Sequence, residues 1–134
     1  MKHTVCLLLM VLGLSACSNQ PTEKLSLSPA DFEQQSQSTP EAVLLDVRTP
    51  EEVQNVYIKG AINMDFQRPE FKLLIAGLDK EKPYFVYCKS GMRSGKAADL
   101  MRDSGFKNVK TLEGGLNAWR SAGLSTVEPK PTKP

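Results

Sequence analysis

Along the chain, apolar residues gather into short runs, separated by segments in which they recur at helical spacing. Ala42-Val43-Leu44-Leu45-Asp46-Val47 is too short for a typical helix and suits a strand buried on both faces. Tyr84-Phe85-Val86-Tyr87, following Pro83, is a second such strand, rich in aromatic residues. Shorter runs at residues 61–64 and 107–112 predict two more. Between the runs, Ser28 as N-cap, Pro29 at the first helical position and Asp31 in the first turn predict a helix to about residue 35. Thr49 caps a short helix opened by Pro50. Phe71, Leu74, Ile75 and Leu78 give residues 69–78 helical spacing. Residues 93–101 carry Ala97, Leu100 and Met101 on one face and are stopped by Gly105. Gly114-Gly115 forms a tight turn, in which side chains would clash, before a last helix over 116–122. Strands alternating with helices predict an α/β fold: a central, mostly parallel sheet of about five strands with helices on both faces. Ligands of such folds bind at the carboxyl ends of strands, where the segment after Tyr87 lies.

The two ends of the chain follow neither pattern. Lys2 and His3 precede the ten-residue apolar run Val5 to Leu14, half of the roughly 20 residues a spanning helix needs. A basic start, a short apolar core and the small residues Ser15 and Ala16 make a secretory signal. Leu14-Ser15-Ala16-Cys17 resembles the bacterial lipoprotein box, which implies cleavage before Cys17, a lipid on its thiol and a membrane anchor. The alternative is an ordinary secreted protein with a free Cys17. Residues 17–24 read as the lipidated cysteine and a polar tether, and Ser18 leans toward the periplasmic face of the outer membrane in a Gram-negative envelope. Residues 25–127 form the folded domain, and residues 128–134 alternate proline with polar residues as a disordered tail.

Composition narrows the function. The chain has 134 residues and carries 17 basic against 15 acidic side chains. Loss of Lys2 with the leader brings the balance closer to neutral. A near-neutral domain has no electrostatic case for nucleic acid. Cys6 and His3 leave with the leader, so the domain keeps Cys88 as its one free cysteine and no histidine. That excludes a dithiol–disulfide reductase, a papain-type cysteine–histidine hydrolase and a zinc site of thiolates and imidazoles. Neither a metal nor a cofactor is expected.

Cys88-Lys89-Ser90-Gly91-Met92-Arg93-Ser94 carries the candidate chemistry. A cysteine ends a buried strand and a helix begins within a few residues, with Gly91 free to take a backbone angle closed to other residues. Such a loop can turn successive N–H groups inward, and the helix start adds its own unpaired N–H groups. A thiolate held there has a lowered pKa and raised reactivity. Lys89, Ser90, Gly91, Met92 and Arg93 are the candidate anion-binding residues, with Lys89 and Arg93 adding positive charge. The plainer reading of Cys88 is an inert buried thiol.

Four blocks, in order and at matching spacing, resemble the rhodanese-like sulfurtransferases in their single-domain form. They are Leu44 to Glu52, Ile58 to Asn63, Tyr84 to Ser94 and Leu112 to Trp119. The resemblance implies transfer of sulfane sulfur: Cys88 takes sulfur from a small anionic donor such as thiosulfate, holds it as a persulfide and yields it to a thiol or cyanide. It also implies supporting roles for Asp46 and Arg48, with Asp46 near the sulfur loop and Arg48 paired to a carboxylate such as Glu52. Trp119 reads as core packing. The family's usual Gly-His-Ile is replaced by Val56-Tyr57-Ile58, from which only a local change is expected. The site is expected to be shallow and open and the protein a monomer. A cysteine phosphatase is the nearest rival, but Cys88 to Arg93 is one residue shorter than the Cys-x5-Arg signature. Arsenate reduction wants further thiols. A non-catalytic or slow persulfide carrier is the remaining alternative.

Overall fold

The structure, a computed structural model, describes residues 24–129. The signal sequence, Cys17 and most of the proposed tether lie outside these residues, as does the tail from residue 130. Five strands, β1 (Ser26–Leu27), β2 (Val43–Asp46), β3 (Ile62–Asn63), β4 (Pro83–Tyr87) and β5 (Asn108–Leu112), form one sheet in the order β1-β5-β4-β2-β3. Every pairing is parallel. Five helices alternate with them: α1 (Pro29–Ser38), α2 (Pro50–Asn55), α3 (Phe71–Ala76), α4 (Met92–Asp103) and α5 (Gly115–Ser121). Strand order reverses beside β2 and β4, so the crevice at the carboxyl ends of this pair is where a ligand of such a sheet is expected.

Side-chain alternation along β4 divides the interior into two layers. Tyr84 and Val86 face one side, where α3 and α4 cover them with Phe71, Ile75, Ala97, Ala98 and Met101. Phe85 and Tyr87 face the other, against Phe32 of α1 and Leu116 and Trp119 of α5. Phe32 is fully buried and meets the rings of Phe85 at 5.5 Å and Trp119 at 6.3 Å, both edge-on. The Trp119 indole N–H donates to the Ser125 carbonyl at 3.0 Å, so the tryptophan serves the core. Residue 88 continues the alternation onto the α3–α4 side, where α4 begins.

Several boundaries differ from the sequence expectation. Strand β1 escapes it because two residues show no periodicity. Helix α1 continues to Ser38, past residue 35, because glutamine and serine tolerate a helix that Phe32 anchors; it ends where Thr39, before Pro40, turns extended. Helix α3 is shorter than residues 69–78, starting at Phe71 and ending before Gly77. After α5 the chain turns back, and Val127 forms an isolated antiparallel bridge with Tyr57. Both residues of that bridge exchange N–H···O bonds, at 3.0 and 2.8 Å. The position that departs from the family pattern is thus tied by its backbone to the end of the domain.

Truncating Phe32 to alanine removes a side chain whose ring meets both Phe85 on β4 and Trp119 on α5 edge-on. Phe32→Ala should lower the unfolding free energy by about 3–5 kcal/mol, read as a lower urea midpoint with unchanged slope.

Candidate active site

Cys88 follows the last residue of β4, and its side chain points toward the first turn of α4. Its sulfur accepts the Gly91 N–H at 3.0 Å and lies 3.3 Å from the Ser94 hydroxyl, to which the neutral thiol donates. The Ser94 hydroxyl in turn reaches the Gly91 carbonyl at 3.2 Å and can rotate to donate to an ionised sulfur. Burial pushes the Cys88 thiol up. Hydrogen bonds from the Ser94 side chain and from the N–H groups of Ser94, Gly91 and Ser90 outweigh it, and the net shift is downward. The anion is therefore held by oriented dipoles close to the sulfur.

Backbone geometry explains why those dipoles point inward. The Leu116 N–H donates to the Cys88 carbonyl at 2.8 Å, and the Asn117 N–H donates to the Lys89 carbonyl at 3.0 Å. In a trans peptide the C=O and the following N–H point in opposite directions. With the Lys89 carbonyl turned to α5, the Ser90 N–H is turned away from it, toward the sulfur. This docking requires bare backbone at residue 115: a Cβ on Gly115 would stand 2.6 Å from the Cys88 carbonyl oxygen and the Lys89 carbonyl. Gly91 opens α4 with φ +102°, an angle that favours glycine.

Asp46 and Arg48 form a buried pair beside this loop. Asp46 is level with Tyr87 across the β2–β4 ladder, and the Arg48 guanidinium reaches its carboxylate at 2.7 Å. The same guanidinium donates to the Val56 carbonyl at 2.7 Å and lies 5.7 Å from the centre of the Tyr87 ring. The Tyr87 hydroxyl accepts the Ile58 N–H at 3.1 Å, so this cluster fixes the chain between α2 and β3 to the root of the sulfur loop. The expected Arg48–Glu52 pairing is not found. Asp46 lies two residues away on the same extended segment, whereas Glu52 turns toward Arg93 from the first turn of α2.

Glu52 is the residue sequence reasoning misplaced. Its carboxylate accepts from both terminal guanidinium nitrogens of Arg93, at 2.7 and 2.8 Å, and also from the Thr49 N–H at 3.1 Å. The Arg93 guanidinium holds the Glu52 carboxyl well below the usual range, at about 2. Arg93 therefore spends its charge on Glu52, and an anion at the sulfur feels a neutralised pair where a free cation was expected. Lys89, Ser90 and Met92 are exposed on the outside of the loop. Ser94 and Asn63 were also missed as site residues. Ser94 is buried in the first turn of α4, and Asn63 donates to the carbonyls of Asp46 and Arg48 at 3.0 and 2.8 Å. The motif Thr49-x-x-Glu52 signals the cap of α2, but nothing local signals its partner across 41 residues.

The expected open site is corrected at one point: Cys88 has no solvent-exposed surface. A loop of six residues from Cys88 to Arg93 closes over its own sulfur and leaves only its outer rim in water.

Residues 28–122 match the family model of the rhodanese-like domain, and the chain belongs to this family. It is 30% identical over 109 residues to a sulfurtransferase of Allochromatium vinosum, covering 81% of this chain and 94% of that one. It is 36% identical over 88 residues to the thiosulfate sulfurtransferase GlpE of Stutzerimonas stutzeri, covering 65% of this chain and 78% of that one. An uncharacterized Synechocystis protein is 36% identical over 106 residues; the match covers 79% of this chain but only 58% of that protein's length. Among solved structures, the polysulfide-sulfur transferase homodimer of Wolinella succinogenes superposes with a TM-score of 0.67 at 33% identity, covering 83% of each chain. A Rhodopseudomonas palustris protein of unknown function, described as a possible tyrosine phosphatase, superposes at 0.61 with 29% identity, covering 76% of this chain and 83% of that one. These relatives support sulfurtransferase activity in general terms.

Two measurements check the electrostatics. Ser94→Ala removes a donor to the thiolate, so the pH midpoint of thiolate absorbance, taken as the difference from Cys88→Ser, should rise. Because folding lowers the Glu52 pKa from 4.5 to about 2, its stabilisation is fully present above pH 4.5 and is lost as pH falls through about 2. The difference in urea midpoint between the protein and its Glu52→Gln variant should therefore shrink steadily over that interval.

Proposed function

We propose that the protein moves sulfane sulfur from a small anionic donor such as thiosulfate to a thiol acceptor through a persulfide on Cys88. The observation that carries this reading is the sulfur of Cys88 lying among the N–H groups of Ser90, Gly91 and Ser94, with its pKa lowered. In the first half-reaction the thiolate attacks the outer sulfur of thiosulfate. A Cys88 Sγ–S bond forms, the donor S–S bond breaks with its electron pair, and sulfite leaves. In the second, an acceptor thiolate attacks the outer sulfur of the persulfide. The Sγ–S bond breaks, the Cys88 thiolate is restored, and the acceptor leaves as a persulfide. Charge balances in each step, and neither an external oxidant nor a cofactor is needed. The loop amides stabilise the negative sulfur at both stages.

The geometry favours this over phosphoryl or arsenate chemistry. The loop is short for a tetrahedral phosphoryl group, and the Arg93 guanidinium that a phosphatase would turn on the substrate is bound at both terminal nitrogens by Glu52. Among the described residues Cys88 is the only free cysteine, so no neighbouring thiol completes an arsenate cycle. A slow persulfide carrier is the second reading, favoured by the complete burial of Cys88. We further propose that the lipoprotein box at Cys17 anchors a monomeric domain in the bacterial envelope, at the periplasmic face of the outer membrane if that envelope is Gram-negative. The support is the apolar run ending at Leu14 and the small residues before Cys17.

Incubation with thiosulfate should add the mass of one sulfur atom, and Cys88→Ser should abolish the addition in intact-mass spectra. Repeated turnover with cyanide separates an enzyme from a carrier: loading followed by a single round of release favours the carrier.

A further inference from the structure

Arg93 belongs to the sulfur loop itself and stands next to Ser94, whose hydroxyl lies 3.3 Å from the Cys88 sulfur. Both of its terminal nitrogens donate to Glu52, at 2.7 and 2.8 Å, and its side chain is 22% exposed. The guanidinium is held above its ordinary pKa, first by the hydrogen bonds to Glu52 and then, against burial, by the charges of Glu52, Cys88 and Asp65. Arg93 is therefore within electrostatic reach of the reacting sulfur, and Glu52 decides how much of its charge is left there. Asp65, just after β3, adds to the cancellation. Its side chain is 10% exposed, whereas its own partner Arg68, 4.0 Å away, has 62% of its side chain in water. Lys89 is also exposed, where water weakens its field.

A donor with two negative charges asks more of this surround than a donor with one. The N–H groups of Ser90, Gly91 and Ser94 converge on the Cys88 sulfur and serve the charge there. The second charge of a donor answers to the side-chain cations instead, through attraction at a distance. We propose that Glu52 is a specificity-determining residue: by cancelling Arg93 it lowers the preference of the site for doubly charged sulfur donors over singly charged ones. The inference rests on the sulfur-transfer reading above and adds to it the residue that sets the charge class of the donor. Glu52 acts through Arg93, as a positioning residue, and takes no part in the bond changes. With its carboxyl pKa at about 2, it stays ionised wherever the thiolate reacts, so the cancellation is permanent.

The test uses the full chain and two donors of similar shape: thiosulfate, a dianion, and the methanethiosulfonate anion, in which a methyl group replaces one oxygen and its charge. With either, the Cys88 thiolate attacks the terminal sulfur, the Sγ–S bond forms, the donor S–S bond breaks with its electron pair, and sulfite or methanesulfinate leaves. Second-order loading rates are read from the mass of one added sulfur, with the Cys88→Ser signal subtracted, at one ionic strength. The ratio of the thiosulfate rate to the methanethiosulfonate rate cancels any general loss of folding or nucleophilicity. Glu52→Gln keeps a side chain that can close the same cap on α2, and it should raise the ratio by roughly fivefold. Arg93→Gln leaves Glu52 uncancelled and should lower the ratio by roughly the same factor. The double variant carries neither charge and should return the ratio to within about twofold of the unaltered protein, a restoration that a merely structural role would not give. Glu81→Gln makes the same charge change in the exposed turn that enters β4, at the far end of that strand from Cys88, and should leave the ratio unmoved. A ratio insensitive to Glu52→Gln, one that the double variant fails to restore, or one that Glu81→Gln raises equally overturns the proposal and leaves sulfur transfer intact. Failure of Cys88 to load from either donor overturns the sulfur-transfer reading itself, and this inference with it.

Discussion

The site depends on the hydrogen bonds that α5 makes to the carbonyls of Cys88 and Lys89. They look like ordinary helix docking, yet they decide which way the peptide planes of the loop face. With those carbonyls satisfied on one side, the amides of the loop are left for the sulfur on the other. Gly115 makes the approach possible because any side chain there would strike the same two peptides. Pocket chemistry at residue 88 is thus set by backbone contact with residues 115–117, far along the chain and on the opposite layer of the interior.

Charge plays a different part from the one first expected. Arg93 and Glu52 form a closed pair next to the loop, and Arg48 and Asp46 form another beneath it. Both pairs hold segments in place, α2 to α4 in one case and the α2–β3 connection to β4 in the other. The anion at the sulfur is served by neutral dipoles within hydrogen-bond distance, an arrangement that salt screens little. Lys89, exposed on the outside of the loop, adds a positive field that acts on arriving molecules more than on the thiolate.

Much of this was legible in the sequence. The buried strands around Leu45 and Val86 announce themselves by continuous apolar runs, and the caps at Ser28 and Thr49 by residue type. Cys88 stood out because a thiol, small residues and a helix start fell together. What the sequence hid was long-range. Strand β1 is too short to show a period and exists through its pairing with β5. The partner of Arg93 is chosen by how α2 meets α4, and local pattern favoured Arg48 for Glu52. The burial of Cys88 follows from the way the loop folds over it, which no spacing reveals. Tyr57 illustrates the converse: a conspicuous departure from the family pattern proves to be held through its backbone.

The sheet closes at both sides with strands of two residues, β1 and β3. Long unpaired edges invite a second molecule to add its own strand, and brief ones offer too few free amides and carbonyls for such a ladder to start. Copies of this domain crowded together at high local density would accordingly resist edge-to-edge aggregation.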